Sequence, residues 1–243
     1  MRLFSSTLLS FVLLFSAGCG VVSNDPNLRP GELKTDSVHL DANGVDNAAV
    51  ALKIGVGDLV IGSDTGELVT GKFEYNVPAW QPVVNQSKDG STAHLKVEQP
   101  SAGSVSGDTQ NRWNLQVSNK TPVAFDIECG VGKAKLNLGG MKLKDVTLKV
   151  GVGEIDMDLR GNPEQDYNVR IEGGVGQATI NLPASAAIRA DVQTGLGGID
   201  VQGLEKHGDS WQSANYGKAK ATIHLTAKGG IGEIKLVRAA ETN

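Results

Sequence analysis

Aromatic residues make up only 5% of this 243-residue chain, and cysteine occurs twice, at Cys19 and Cys129. So few aromatics leave little material for stacking on sugars or bases. Two cysteines so placed provide no disulfide framework. Positive charge is also not in excess: Lys+Arg number 23 against Asp+Glu 27, a net charge of −4. With no basic run interleaved with aromatics, nucleic acid is excluded as an expected partner. No apolar run reaches the length of a bilayer-spanning helix. After the N-terminal segment, none keeps helical apolar spacing over three turns.

Recognisable chemistry is sparse as well. His39, His94, His207 and His224 have no His, Cys or acidic neighbour at metal-ligand spacing. There is no serine elbow and no Cys–His arrangement. The expectation is no catalytic residue, no metal and no cofactor.

Glycine, by contrast, is abundant, with 31 copies. Six times it brackets a branched apolar residue: Gly55-Val56-Gly57, Gly130-Val131-Gly132, Gly151-Val152-Gly153, Gly174-Val175-Gly176, Gly195-Leu196-Gly197 and Gly230-Ile231-Gly232. Four consecutive copies begin 21, 23 and 21 residues apart, a period characteristic of stacked repeats. Around Gly151, residues Val146, Leu148, Val150 and Val152 alternate with polar or small residues, as in a half-buried strand. Ile155, Met157 and Leu159 then continue in the opposite parity. The chain must turn a corner at the glycines, which tolerate positive φ. This phase shift predicts that Val152 and Ile155 both face the core and that Asp156 faces solvent.

The fold class expected is all-β, a stacked β-solenoid or β-helix-like repeat with Gly-x-Gly corners about every 21 residues. A phosphate-binding glycine loop needs one copy opening a helix. Here every copy opens another strand. Burial of roughly 1.5–3 kcal/mol per large aliphatic cannot offset the ordering entropy of a single layer, so the layers should fold as a set.

The N-terminus carries Arg2, a short apolar run from Leu8 to Phe15, and Ser16-Ala17-Gly18-Cys19. This resembles a bacterial lipoprotein signal. The resemblance implies cleavage before Cys19 and lipidation of that residue, with a membrane partner through the acyl chains. Gly20 in place of Asp favours the outer membrane if the source has one. The organisation expected is a signal peptide over 1–18, a flexible tether over 19–36, an N-terminal β region over 37–122 and a β-repeat stack over 123–238. Between Gly57 and Gly130 the corners are missing, and this stretch is expected to cap the open edge of the stack. Cys129 shares the register of Val150 and should point inward.

The outward positions after the corners form two columns, Lys133, Glu154, Gln177, Gly198, Glu233 and Lys135, Asp156, Thr179, Asp200, Lys235. Glu154, Asp156 and Asp158 share one strand face, the best place for a carboxylate pair or a weak cation site. A solvated charged face is the simpler reading of the same residues.

Two further segments complete the pattern: Leu52-Lys53-Ile54-Gly55-Val56-Gly57-Asp58-Leu59, and Trp113-Asn114-Leu115 leading to Asp126-Ile127-Glu128-Cys129-Gly130-Val131-Gly132. With the recurring Gly-x-Gly units and Trp211 before the last, they resemble the bacterial toast-rack domain family, related to LiaF-like cell-wall-active-antibiotic-response proteins. The resemblance spans residues 45–238. It implies a stacked β structure outside the cytoplasm and a non-enzymatic envelope role tied to stress signalling, with an envelope protein or cell-wall polymer as partner. LiaF-like members carry transmembrane helices, which this chain lacks. A surface adhesin or glycan binder is the alternative, and a carbohydrate-active enzyme is a third class.

Overall fold

The computed structural model describes residues 25–63, 66–101 and 105–239. Its strands are β1 (Lys34–Leu40), β2 (Asn47–Val56), β3 (Asp58–Ser63), β4 (Val69–Tyr75), β5 (Val83–Asp89), β6 (Thr92–Glu98), β7 (Asn111–Val117), β8 (Val123–Asn137), β9 (Leu143–Asp158), β10 (Tyr167–Leu182), β11 (Ala187–Gln202), β12 (Glu205–His207), β13 (Ser210–Gln212) and β14 (Thr222–Arg238). All fourteen belong to one hydrogen-bonded sheet. It is a stacked, β-solenoid-like arrangement of the kind the glycine period predicts. The first strand starts within the segment expected to be a tether.

The long strands continue without a break through their Gly-x-Gly units. β8 pairs in parallel with β9 both before the corner, as at Ile127↔Leu148, and after it, as at Leu136↔Met157. Only residues 138–142 separate these strands. At no more than about 3.6 Å per residue, that link cannot carry the chain back along a straight strand of fifteen residues. The strand must therefore fold at the glycines into two arms whose free ends lie close together. The core fills the space between the arms. Val146, Leu148 and Val150 from the first arm of β9 and Ile155, Met157 and Leu159 from or just beyond its second arm all belong to a single buried cluster.

Glycine is required at both corner positions. Gly153 has φ +151°, in the region that side chains avoid. A Cβ there would overlap the carbonyl oxygen of Gly132, and one on Gly151 would press on the carbonyl of Gly130. Each corner but the first thus nests on the bare backbone of a neighbouring corner in the sheet.

One expectation is overturned. Ile155 is buried, but Val152 is 47% exposed. Two inward residues flank the corner five positions apart, Val150 and Ile155, while Val152 sits on the convex side of the bend. The arms converge on the concave side and leave no room for a side chain there. Val56, Val131, Val175, Leu196 and Ile231 are exposed in the same way. Asp156 is half-buried rather than open to solvent.

The order of layers also differs from the chain order. The sheet runs β8-β9-β10-β14-β11, so the last strand inserts between β10 and β11. Both columns of outward residues are reordered accordingly: Lys235 lies between Thr179 and Asp200.

Towards the N-terminus the two arms separate. β2 carries the first arm, pairing with β8 on one side and β6 on the other, and β5 follows β6. β3 carries the second arm, pairing with β8 and β7, followed by β4 and β1. The stretch without glycine corners therefore extends each arm by its own strands and continues the same sheet. Trp113 and Phe73 fill the space beneath, edge to face at 5.2 Å.

Candidate functional site

Where the corner ladder meets β6 and β7, no further Gly-x-Gly is present. Side-chain amides take its place. Gln99 Oε1 accepts from Gly55 N at 2.9 Å and from Val56 N at 3.2 Å. Asn111 Nδ2 donates to the Val56 carbonyl at 2.7 Å and to Gln99 Oε1 at 2.9 Å. The indole of buried Trp113 donates to Asn111 Oδ1 at 3.0 Å, which fixes the amide orientation. Nothing in the local pattern of Gln99 or Asn111 announces this role, since their partners lie in a distant strand.

Beside this cap is a cleft of about 820 Å³ with Trp80, Gln99 and Pro100 on its wall. Its floor is the outward face of the first arm, where pairing sets Lys53 beside Glu128, Glu128 beside Lys149, Lys149 beside Glu172 and Glu172 beside Lys228. The signs alternate strand by strand. Lys53 Nζ and Glu128 Oε2 are 3.5 Å apart. Opposite charges on adjacent strands favour this register.

The carboxylates singled out by sequence are similarly matched. Glu154 pairs with Lys133 at 3.0 Å, which pushes the Lys133 ammonium above its ordinary pKa. Asp158 accepts from Arg160, with Oδ1 2.9 Å from Nε. That guanidinium holds the carboxyl below its ordinary value. Glu154, Asp156 and Asp158 do lie on one strand, but two are engaged by cations. Among the described residues no group of three His, Cys, Asp or Glu is placed to hold a metal ion. His39 faces Glu67 at 3.2 Å and His207 faces Glu205 at 3.8 Å, both at the surface.

Cys129 is buried, as its register implies. Burial, with a smaller contribution from Asp58, pushes its thiol up to about 11, so it is not a nucleophile near neutral pH. Trp80 and Trp113 are buried, and Trp211 is half-buried with Lys206 Nζ 5.7 Å from its ring centroid. No row of exposed tryptophans forms among the described residues. Cys19 lies outside the described residues.

Sequence reasoning did not foresee the ridge on the outside of the bend. Parallel pairing aligns Val56, Val131, Val152, Val175, Ile231 and Leu196 in one exposed file. At about 4.8 Å per strand, it runs roughly 24 Å between rows of glycine.

These features coincide with a family pattern. Residues 29–181 match the N-terminal domain of toast_rack, DUF2154. The chain belongs to the toast-rack family. Its residues 130–236 also match the C-terminal region of the cell wall-active antibiotics response protein LiaF. A solved structure of a candidate cell adhesion protein from Clostridium sporogenes is similar to this chain with a TM-score of 0.81 and 30% identity, over 86% of this chain and 100% of that one. A candidate adhesin from Bacteroides fragilis aligns over 86% of this chain and 99% of its own, but at 12% identity and a TM-score of 0.32. No curated protein matches the sequence. Among the described residues no helix of this toast-rack protein is long and apolar enough to cross a membrane.

Proposed function

We propose that this toast-rack protein is a non-enzymatic binding or scaffold protein of the bacterial envelope, associated with the envelope-stress response. The observation that carries the reading is the LiaF-like match over residues 130–236. The surface is consistent with it: charged side chains are neutralised by neighbours on the same face, and the exposed features are long and repetitive, suited to protein or polymer contact. Acyl chains on Cys19 would hold the body at the membrane, in the outer membrane of a two-membrane cell. Three chains exceed the two-signal requirement for stable anchoring.

Two measurements test this. The wild-type protein should partition into detergent and take up an alkyne fatty acid, and Cys19→Ser should abolish labelling. A strain lacking the chain should respond differently to cell-wall-active antibiotics in a stress-reporter assay. An unchanged reporter response overturns the stress association.

Adhesion is a second reading, favoured by the description of the 30% identical Clostridium sporogenes structure. Binding of the purified protein to envelope glycans or host surfaces distinguishes it. Glycan turnover that is lost in Glu154→Gln or Asp156→Asn would establish an enzyme instead.

A further inference from the structure

The N-terminal segment and the glycine corners lie at the same end of the molecule. β1 begins at Lys34, which pairs with Tyr75, and Tyr75 pairs with Asn111. The next residue, Arg112, pairs with Asp58, directly after the Gly57 corner. The link 76–82 then crosses from the second arm to the first, since Val83 pairs with Glu98 and Glu98 with Lys53. Residues 25–33 pack on that crossing. Gly31 N donates to the Asn76 carbonyl at 2.7 Å, and the turn Pro26–Leu28 lies against Pro78–Trp80. The links 138–142, 159–166 and 183–186, and the end of β14 at Arg238, lie at the opposite, free ends of the arms.

The length of chain before that segment limits how the body can stand. Asp25, the first described residue, lies six positions after Cys19. At no more than about 3.6 Å per residue, acyl chains on Cys19 would keep Asp25 within roughly 22 Å of the bilayer. The first arm of β9, from Leu143 to Gly151, spans roughly 26 Å at about 3.3 Å per residue. A body standing on its free ends would lift the corner end beyond that reach. Lipidation at Cys19 therefore brings the corner end, and not the free ends, to the membrane.

That end presents the apolar ridge. Leu196 and Ile231 are 69% and 52% exposed, and the four valines 42–47%. Glycines flank every member of the file, and charged side chains begin only beyond them. Lys53 and Glu128 on the first arm are paired with each other, as are Lys133 and Glu154 on the second. The contact such an edge can make is apolar rather than electrostatic. Its backbone is already bonded from layer to layer: Gly57 N donates to the Val131 carbonyl at 2.9 Å, and pairing continues through Val152 and Val175. Peptide groups satisfied in this way can enter apolar surroundings without being left unpaired.

A second copy is a poor occupant. With the arms about 10 Å apart, the bent edge offers roughly 240 Å², against about 800 Å² per partner in a stable protein interface. A lipid surface needs no such area. The acyl chains supply the affinity, and the ridge has only to orient a body that is already held there.

We propose that the ridge, with Val56 at one end and Leu196 at the other, rests in the lipid surface. The anchored body stands corner-down, its ridge side chains at the boundary of headgroups and acyl chains and its loops facing away. The proposal deepens the envelope reading and rests on lipidation of Cys19. Vesicle flotation reports the anchor and lipid quenching reports the ridge, so the two fail separately.

The experiment uses the mature acylated chain, purified from membranes and reconstituted in phosphatidylcholine vesicles whose acyl chains carry nitroxide quenchers. A nitrobenzoxadiazole fluorophore is placed at Val175→Cys on the ridge or at Lys142→Cys at the free ends. Both positions are exposed, and buried Cys129 stays unlabelled. The ridge label should shift to the blue and lose at least about half its emission, as insertion by about 5–10 Å requires. The Lys142→Cys label should be unaffected. Val131→Ser, Val152→Ser and Ile231→Ser together should abolish the quenching without changing flotation. Floating protein whose ridge label is unquenched, or quenched no more than the Lys142→Cys label, overturns the proposal. So does quenching that survives the three serines, since the tether alone then causes it. A blue shift without quenching also overturns it, because the ridge is then covered by protein. Protein that fails to float removes the anchor reading, and this proposal with it.

Discussion

Asn111 donates to the Val56 carbonyl at 2.7 Å, so an amide side chain completes the corner ladder where the glycine repeat stops. The indole of Trp113 holds that amide from behind. Asn111→Ala should leave this carbonyl and the indole N–H without their partner. At about 1–3 kcal/mol for a buried polar group deprived of its bond, a loss of about 2–3 kcal/mol is expected in urea unfolding. A change below 0.5 kcal/mol, roughly the scatter of neutral surface substitutions, would show that the cap is dispensable.

Gly153 and Gly173 should respond in opposite directions. Gly153→Val places a side chain at φ +151° and against the Gly132 carbonyl, and at least about 3 kcal/mol of destabilisation is expected. At Gly173 a Cβ meets nothing closer than 3.9 Å, and the residue borders an apolar cavity of about 30 Å³ with Ile155 and Ile234. Gly173→Ala should stabilise by about 1 kcal/mol, from reduced unfolded-state entropy and one buried methyl. Thermal melts of the two variants shifting the same way would contradict this account of the corner.

Thr194 Oγ1 is buried, and among the described residues it has no hydrogen-bond partner. Thr194→Val keeps the shape and removes the unsatisfied hydroxyl, so a gain of about 1 kcal/mol is expected. A loss in denaturant unfolding would mean the hydroxyl is satisfied in solution.

The Cys129 thiol supplies a pH dependence. Its value rises from 9.0 to about 11 in the folded protein. Well below pH 9 the thiol is almost wholly protonated in both states and contributes no slope. Between about 9 and 11 the unfolded chain ionises while the folded one keeps its proton, so stability falls as pH rises. Cys129→Val should flatten this part of the stability profile. The native thiol should also react with a disulfide reagent at pH 8 far more slowly than the unfolded chain does.

β14 closes the stack by entering between β10 and β11. Removal of residues 222–243 should therefore release β11 as well, because both strands lose their common neighbour. Increased dye binding and lost amide protection at Ile188–Val192 are expected. A truncated chain with β11 still protected would show that β11 can pair directly with β10.

The sequence alone determined the period, the glycine corners, the stacking of the repeats, and the inward setting of Cys129 and Ile155. Each is a local rule: side-chain alternation has a period of two, and only glycine fits where backbones nest. The direction of Val152 was decided by tertiary structure. Alternation reports parity, whereas the closing of the two arms decides which side of the bend has room. The place of β14 and the caps made by Gln99 and Asn111 were likewise settled only in three dimensions. They depend on contacts between residues far apart in the chain, where neither periodicity nor spacing carries a signal. The engagement of Glu154 by Lys133 and of Asp158 by Arg160 follows the same division. Sequence placed the acids on one strand face, and the packed strands and turns supplied the cations that hold them.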